Sequence, residues 1–209
     1  MDKTEGIIRW SPNSARAQFV AFNLNYRILQ VYEAKGLARP GKFEYEPLSR
    51  YIDIPSLNTF DWSPVVEGLV AVGTSSGELQ LLRVDDNSNA VLSLSIKQPR
   101  ACQAVAFNTT GLLAIGLERV RNDGSLQIWD VNQRLTGWDT SQPGWKVPNN
   151  AVEPRKLESA TVSGRKKSTP DGATDNTQQV TSIKFFEDQP QTLAIGIKNS
   201  CVRIHDLRG

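Results

Sequence analysis

The sequence predicts an all-β fold built from four copies of one small antiparallel sheet. Three observations predict it. A short strand ending in an aromatic recurs at Trp10, Trp62, Phe107 and Phe185. A strand of small and branched residues follows each: Gln18–Phe22, Leu69–Gly73, Leu112–Gly116 and Leu193–Gly196. A third strand then carries apolar residues at every second position: Leu29/Val31, Leu79/Leu81, Leu126/Ile128 and Val202/Ile204. Period two is what a half-buried strand requires.

Unit one, residues 7–34, is a degenerate copy that opens on IIRWSP and continues as AQFVAFNLNYRILQVYEA. Unit two, residues 57–84, reads LNTFDWSP and then GLVAVGTSSGELQLLRV. Unit three is the clearest: CQAVAF, then GLLAIGLERVRNDGSLQIWDV, ending on Trp129-Asp130. Unit four, residues 180–207, reads VTSIKFFEDQPQ and TLAIGIKNSCVRIHDL, with His205-Asp206 where unit three has Trp129-Asp130. Ser76-Gly77 and Asp123-Gly124 supply residues suited to the positive φ of tight hairpins. Outer strands are expected at Phe43–Tyr51, at Ala90–Ile96 and somewhere near Val152–Val162, and none follows unit four.

Four strands per unit and a base period of about 40–45 residues mark WD-repeat propeller blades. The sequence is therefore read as about four blades of an incomplete WD-repeat β-propeller. Blade 1 covers 1–56 and blade 2 covers 57–100. Blade 3 covers 101–178 with a long polar insertion at 132–178. Blade 4 covers 179–209 and lacks its outer strand. A closed propeller seats its last blade on its first, so an array stopping on an incomplete blade is read as the N-terminal part of a larger ring. Phe19, Ile28, Phe186 and Ile195 are then expected on blade faces open to water. Gly73, Gly116 and Gly196 are expected to permit close sheet packing. Trp129 is expected to pack between sheets with its indole N–H partnered. Asp61, Asp123, Asp130 and Asp206 are expected to hold turns and strand ends rather than to donate protons.

Composition removes several function classes. The 209 residues carry 24 Lys+Arg and 22 Asp+Glu, a net charge of +2, with no basic stripe to favour nucleic acid or an anionic membrane. The two cysteines, Cys102 and Cys201, lie in apolar strand-like segments and read as small buried hydrophobes. The N-terminus has no signal-peptide core, and no apolar run approaches the ~20 residues of a membrane span. A cytosolic chain that meets membranes only through partners is expected.

Catalytic constellations are wanting. His205 is the only histidine, so neither a metal site nor a Ser-His-Asp arrangement has material beyond it. Phosphate-cradling glycine motifs are absent. A non-enzyme with no metal, cofactor or small-molecule substrate is expected. Ser168 and Thr169, followed by Pro170 and preceded by Arg165-Lys166-Lys167, are candidate phosphosites, since phosphate there would neutralise local positive charge.

Particular residues carry a narrower likeness. They are RACQAVAFN (100–108), LAIGL (113–117), RNDGSLQIWD (121–130), the opening IRWSP (8–12) and IHDLR (204–208). The longer GLERVRND stretch before the third strand is unusual for a WD blade. In these features the chain resembles the Mio (missing oocyte) family, WD-repeat subunits of the fungal SEA complex and its animal counterpart, GATOR. The resemblance covers the chain apart from the long insertion. It implies a seven-bladed propeller and a scaffold among protein subunits that regulate TORC1 signalling in response to amino acids at the vacuolar or lysosomal surface. Members of that family also carry a helical solenoid and a zinc-binding RING-type domain, and the latter has no counterpart here. The alternative is a generic WD-repeat scaffold of another complex, in trafficking or chromatin. A phosphoinositide-binding propeller would need a Phe-Arg-Arg-Gly motif, which is absent, and a propeller enzyme would need clustered His, Asp or Glu. Limited proteolysis is expected to cut first within residues Ser163–Gln178, the stretch poorest in apolar residues.

Overall fold

The structure, a computed structural model, describes residues 6–12, 17–23, 27–39, 42–51, 56–84, 91–94, 96, 98–119, 124–131, 155–160, 179–198 and 201–208. Among these residues, fifteen strands form four antiparallel sheets, each running in chain order from its first strand outward. Blade 1 contains β1 (Gly6–Trp10), β2 (Gln18–Asn23), β3 (Ile28–Arg39) and β4 (Lys42–Tyr51). Blade 2 contains β5 (Leu57–Trp62), β6 (Leu69–Thr74), β7 (Leu79–Arg83) and β8 (Val91–Leu94). Blade 3 contains β9 (Cys102–Phe107), β10 (Leu112–Leu117), β11 (Leu126–Asp130) and β12 (Arg155–Ala160). Blade 4 contains, among the described residues, β13 (Val180–Phe185), β14 (Thr192–Ile197) and β15 (Val202–Asp206). Among the described residues no helix is long and apolar enough to cross a membrane.

The expected outer strands coincide with β4, β8 and β12. The third of these lies inside the polar insertion and pairs with β11, as in Gln127 opposite Ser159. The rest of that insertion, with Ser168 and Thr169, lies outside the described residues, as does Asp123 of the β10–β11 connection.

The second strands explain why the blades stack. Successive side chains of a strand point to opposite faces. In β10, Leu113 and Ile115 face blade 2 while Ala114 faces blade 4. In β6, Val70 and Val72 face blade 1 while Leu69 and Ala71 face blade 3. The core is thus three slabs between sheets, not one central mass. Phe22 and Val31 meet Phe60 and Trp62 in the first slab. Leu81 and Leu94 meet Ile115 and Trp129 in the second. Ile128 meets Phe185 and Leu193 in the third. Each fully buried Leu, Ile or Phe contributes about 1.5–3 kcal/mol.

Glycine sets the closeness of two of these contacts. A Cβ on Gly73 would lie 2.8 Å from Cβ of Cys102 on the next blade, and one on Gly116 would lie 2.7 Å from Cγ1 of Val180. Gly196 occupies the same place in blade 4, but there the obstructing atom is Ser182 Oγ of its own sheet. Gly77 has φ of 89° in the β6–β7 turn, and a Cβ there would lie 2.8 Å from the carbonyl oxygen of Arg100.

Three expectations are corrected. Phe19 and Ile195 are not open to water: each is 7% or less exposed. Phe19 is covered within its own blade by Trp10 and Tyr32, at ring-centroid distances of 5.1 and 5.0 Å, and Ile195 points into the slab shared with blade 3. Ile28 is half-buried and Phe186 exposed. Cys201 is exposed, because it lies just before edge strand β15, whereas Cys102 is buried and its thiol is pushed up to about 12 by desolvation. Trp129 is buried in the second slab, but its indole N–H has no partner among the described residues, because apolar side chains surround it there.

Gly116→Ala is expected to destabilise the protein by about 1–3 kcal/mol, the usual range for overpacking. Val180→Ala, which removes the obstructing Cγ1, is expected to recover part of that loss. Urea denaturation of the two single variants and the double variant measures the coupling.

Candidate interaction site

The first strands β1, β5, β9 and β13 lie side by side in space, and their aromatic ends converge. Trp10, Trp62, Phe107 and Phe185 all line one groove of about 630 Å³. Trp62, Phe107 and Phe185 are buried, whereas Trp10 is 55% exposed. Charged side chains enter the same groove from three blades: Arg9 from blade 1, Asp61 from blade 2, and Lys184 and Glu187 from blade 4. Strand alternation places them there, since Arg9, Asp61 and Lys184 each immediately precede an aromatic of the repeat or lie one strand position before it.

Asp61 is the pivot. Its half-buried carboxylate accepts a hydrogen bond from the Phe107 N–H at 2.8 Å, tying blade 2 to blade 3. Burial raises its pKa above the ordinary value. The amides of Phe107 and Trp62 and the charges of Lys184 and Arg9 oppose that rise without cancelling it. Arg9, Lys184 and Glu187 form no ion pair among the described residues. The groove therefore offers an aromatic rim with two cations, one hydrogen-bonded carboxylate (Asp61) and one exposed carboxylate (Glu187).

Other polar groups lock the walls. Asn108 is 2% exposed. Its Oδ1 accepts from the N–H groups of Thr110 and Leu112 at 3.0 and 2.7 Å, and its Nδ2 donates to the Pro190 carbonyl of blade 4 at 2.7 Å. Asn58 Nδ2 donates to the Cys102 carbonyl at 3.2 Å, a second tie between blades 2 and 3. Arg100 is buried and donates to the carbonyls of Glu118 and Gly124 at 3.3 and 2.6 Å. It thereby grips both ends of the unusual connection before β11.

The remaining sequence-derived positions lie away from the groove. Trp129 and His205 are register equivalents, opposite Leu113 and Leu193 respectively. His205 is half-buried on the edge strand. Asp130 pairs with Leu112 and Asp206 with Thr192. The Asp206 carboxylate is held down at about 2 by the hydrogen-bonded Arg208 guanidinium, whose Nε and Nη2 donate at 2.9 and 2.7 Å. No three His, Cys, Asp or Glu side chains gather as a metal site among the described residues. Sequence reasoning gave Asp61 no more than a turn-holding role and gave Asn108, Asn58 and Arg100 none. Asn108 had a readable signal, because Asn before Thr-Thr-Gly suits an Asx turn. The cross-blade acceptors had no signal, since strands 44–82 residues apart meet only in the fold.

No protein-family model matches the chain. It is 25% identical over 179 residues to the GATOR2 complex protein MIOS of Dictyostelium discoideum, covering 75% of this chain and 16% of that protein. It is 38% identical over 63 residues to SEH-associated protein 4 of Saccharomyces cerevisiae, covering 30% of this chain and 6% of that protein. The chain thus spans a sixth or less of these relatives. Among solved structures, a chain of the COPII outer coat vertex on membranes superposes with a TM-score of 0.62 at 18% identity, covering 98% of this chain and 48% of that one. That likeness shows the propeller fold alone.

Asp61→Ala removes the acceptor of the Phe107 amide and is expected to cost about 1–3 kcal/mol. Asp61→Asn keeps an oxygen there and is expected to be close to neutral at pH 7. Because the folded-state pKa is raised, the contribution of Asp61 is full below the ordinary Asp pKa and is lost as pH rises through the raised value. Wild type should therefore lose stability relative to Asp61→Asn over that acidic window, which thermal melts across pH 3–6 would reveal.

Proposed function

We propose that this chain, a relative of the Mio family, is the propeller scaffold of a SEA/GATOR-type subunit that takes part in regulating TORC1 signalling by amino acids. It works without catalysis, through protein partners, in the cytoplasm and at the vacuolar or lysosomal surface by way of those partners. The observation that carries the reading is similarity over three-quarters of the chain to a subunit named for the GATOR2 complex. The site agrees in kind: an open aromatic groove with unpaired charges is a surface for a polypeptide, not a closed pocket for a small substrate.

Affinity capture of the tagged chain from extract, followed by mass spectrometry, tests this. Recovery of the other SEA/GATOR-type subunits is expected. Combining Arg9→Glu with Lys184→Glu reverses both groove cations and is expected to weaken that recovery about tenfold or more. Capture of coat or chromatin subunits in their place would sink the proposal.

A further inference from the structure

One position of the first strand carries charge in blades 1, 2 and 4 and none in blade 3. Arg9, Asp61, Ala106 and Lys184 each stand one residue before the repeat aromatic, opposite Val20, Ala71, Ala114 and Ala194 of the second strands. All four line the groove, and the small Ala106 leaves room on its floor. Every lining residue belongs to a first strand or to the turn that leaves it. The groove therefore opens at the strand ends, where the blades converge, and not across a sheet face. The charges of Lys184 and Arg9 both act on the Asp61 carboxylate. Neither cation pairs with it among the described residues; that carboxylate accepts from the Phe107 N–H at 2.8 Å instead. Both cations are exposed.

The turn after each first strand is built alike. The N–H groups of Ser11, Ser63, Asn108 and Phe186 donate to the carbonyls of Gln18, Leu69, Leu112 and Thr192 at 2.8, 2.8, 3.0 and 3.0 Å. Ser63 and Asn108 then cap that turn. Ser63 Oγ accepts from the Val66 N–H at 3.0 Å, and Asn108 Oδ1 from the Leu112 N–H at 2.7 Å. Phe186 holds the same position with no polar atom to do so. Its ring is 42% exposed and lines the groove beside the charges. Blade 4 has thus exchanged a turn-capping side chain for an aromatic that meets the groove.

We infer that the groove holds a segment of a partner protein that mixes acidic residues with large apolar ones, its carboxylates on Arg9 and Lys184 and an apolar side chain against Phe186. This rests on the reading of the groove as a polypeptide surface. Charge selects an acidic segment over a basic one. The two cations are exposed and unpaired among the described residues, whereas Asp61 is half-buried and engaged by the Phe107 amide. Glu187 is the one exposed carboxylate in the lining. A carboxylate brought to these cations gains charge-assisted hydrogen bonds from both walls. A polypeptide is selected over nucleic acid because the chain has a net charge of +2 and no basic stripe to follow a phosphate backbone.

Fluorescence anisotropy on the full chain tests this with a labelled peptide in which Asp and Glu are interspersed with Phe and Leu. Saturable binding is expected, weakening as salt rises. Replacing the acids of the peptide by Asn and Gln, or its Phe and Leu by Ser, is expected to weaken binding about tenfold or more. Lys184→Glu and Phe186→Ser change exposed positions, so far-UV circular dichroism should be unaltered. Each is expected to weaken binding of the acidic peptide about tenfold. Lys184→Glu should in return bind a peptide with Lys in place of Asp and Glu more tightly than wild type does, a gain that a damaged fold cannot mimic. Absence of binding by wild type overturns the inference, as does binding indifferent to both substitutions. Preference for the amide peptide, or for polyuridylate RNA, overturns it equally. Capture of SEA/GATOR-type subunits without peptide binding removes this inference alone. Peptide binding without that capture leaves it standing and removes the assignment to that complex.

Discussion

Apolar packing between neighbouring sheets is the constraint on which this protein depends. No blade has an interior of its own: a sheet of three or four strands has two faces and nothing between them. Each face becomes core only when the next blade arrives. Ile115 and Ala114 are adjacent in sequence, yet they belong to different slabs and different neighbours. Stability is therefore a sum of nearest-neighbour contacts, as in other repeat folds. Gly73 and Gly116 set the spacing by letting Cys102 and Val180 approach where a Cβ would strike them.

That packing fixes the stack but not the relative tilt of the blades, because hydrophobic burial has no direction. Direction comes from a few cross-blade hydrogen bonds. Asp61 reaches the amide of Phe107, Asn58 the carbonyl of Cys102, and Asn108 the carbonyl of Pro190. All three start at or next to a first strand, near the axis where blades come closest. The same crowding brings the four repeat aromatics, with Phe60 and Phe186, and four charged side chains to one groove. The interaction surface is thus a by-product of how the sheets must converge. Desolvation of Asp61, with its raised pKa, belongs to the same convergence.

On blade 1 a sheet face is partly covered by the blade's own aromatics. Trp10, Phe19, Tyr32, Phe43 and Tyr45 pack on one another, with Tyr32 and Tyr45 edge to face at 5.2 Å. The cluster buries Phe19 but leaves Trp10, Phe43 and Tyr45 about half exposed. On blade 4, Val202 and Ile204 are exposed, with no such aromatic cluster over them among the described residues. Large rings can cover each other within a single sheet, and branched aliphatics on an edge strand cannot.

The sequence by itself determined the elements. Period-two alternation and turn residues repeat every blade, and both are local properties. The aromatics at 10, 62, 107 and 185 and the small-residue second strands were legible, as was the outer strand of blade 3 within a polar insertion. Tertiary structure alone decided which neighbours those elements met. It buried Phe19 and Ile195, exposed Cys201, left the Trp129 indole among apolar side chains and made Asp61 a bridge. The reason is physical: a strand's own residues set its pleat and its two faces, but burial depends on a second sheet brought close by residues tens of positions away.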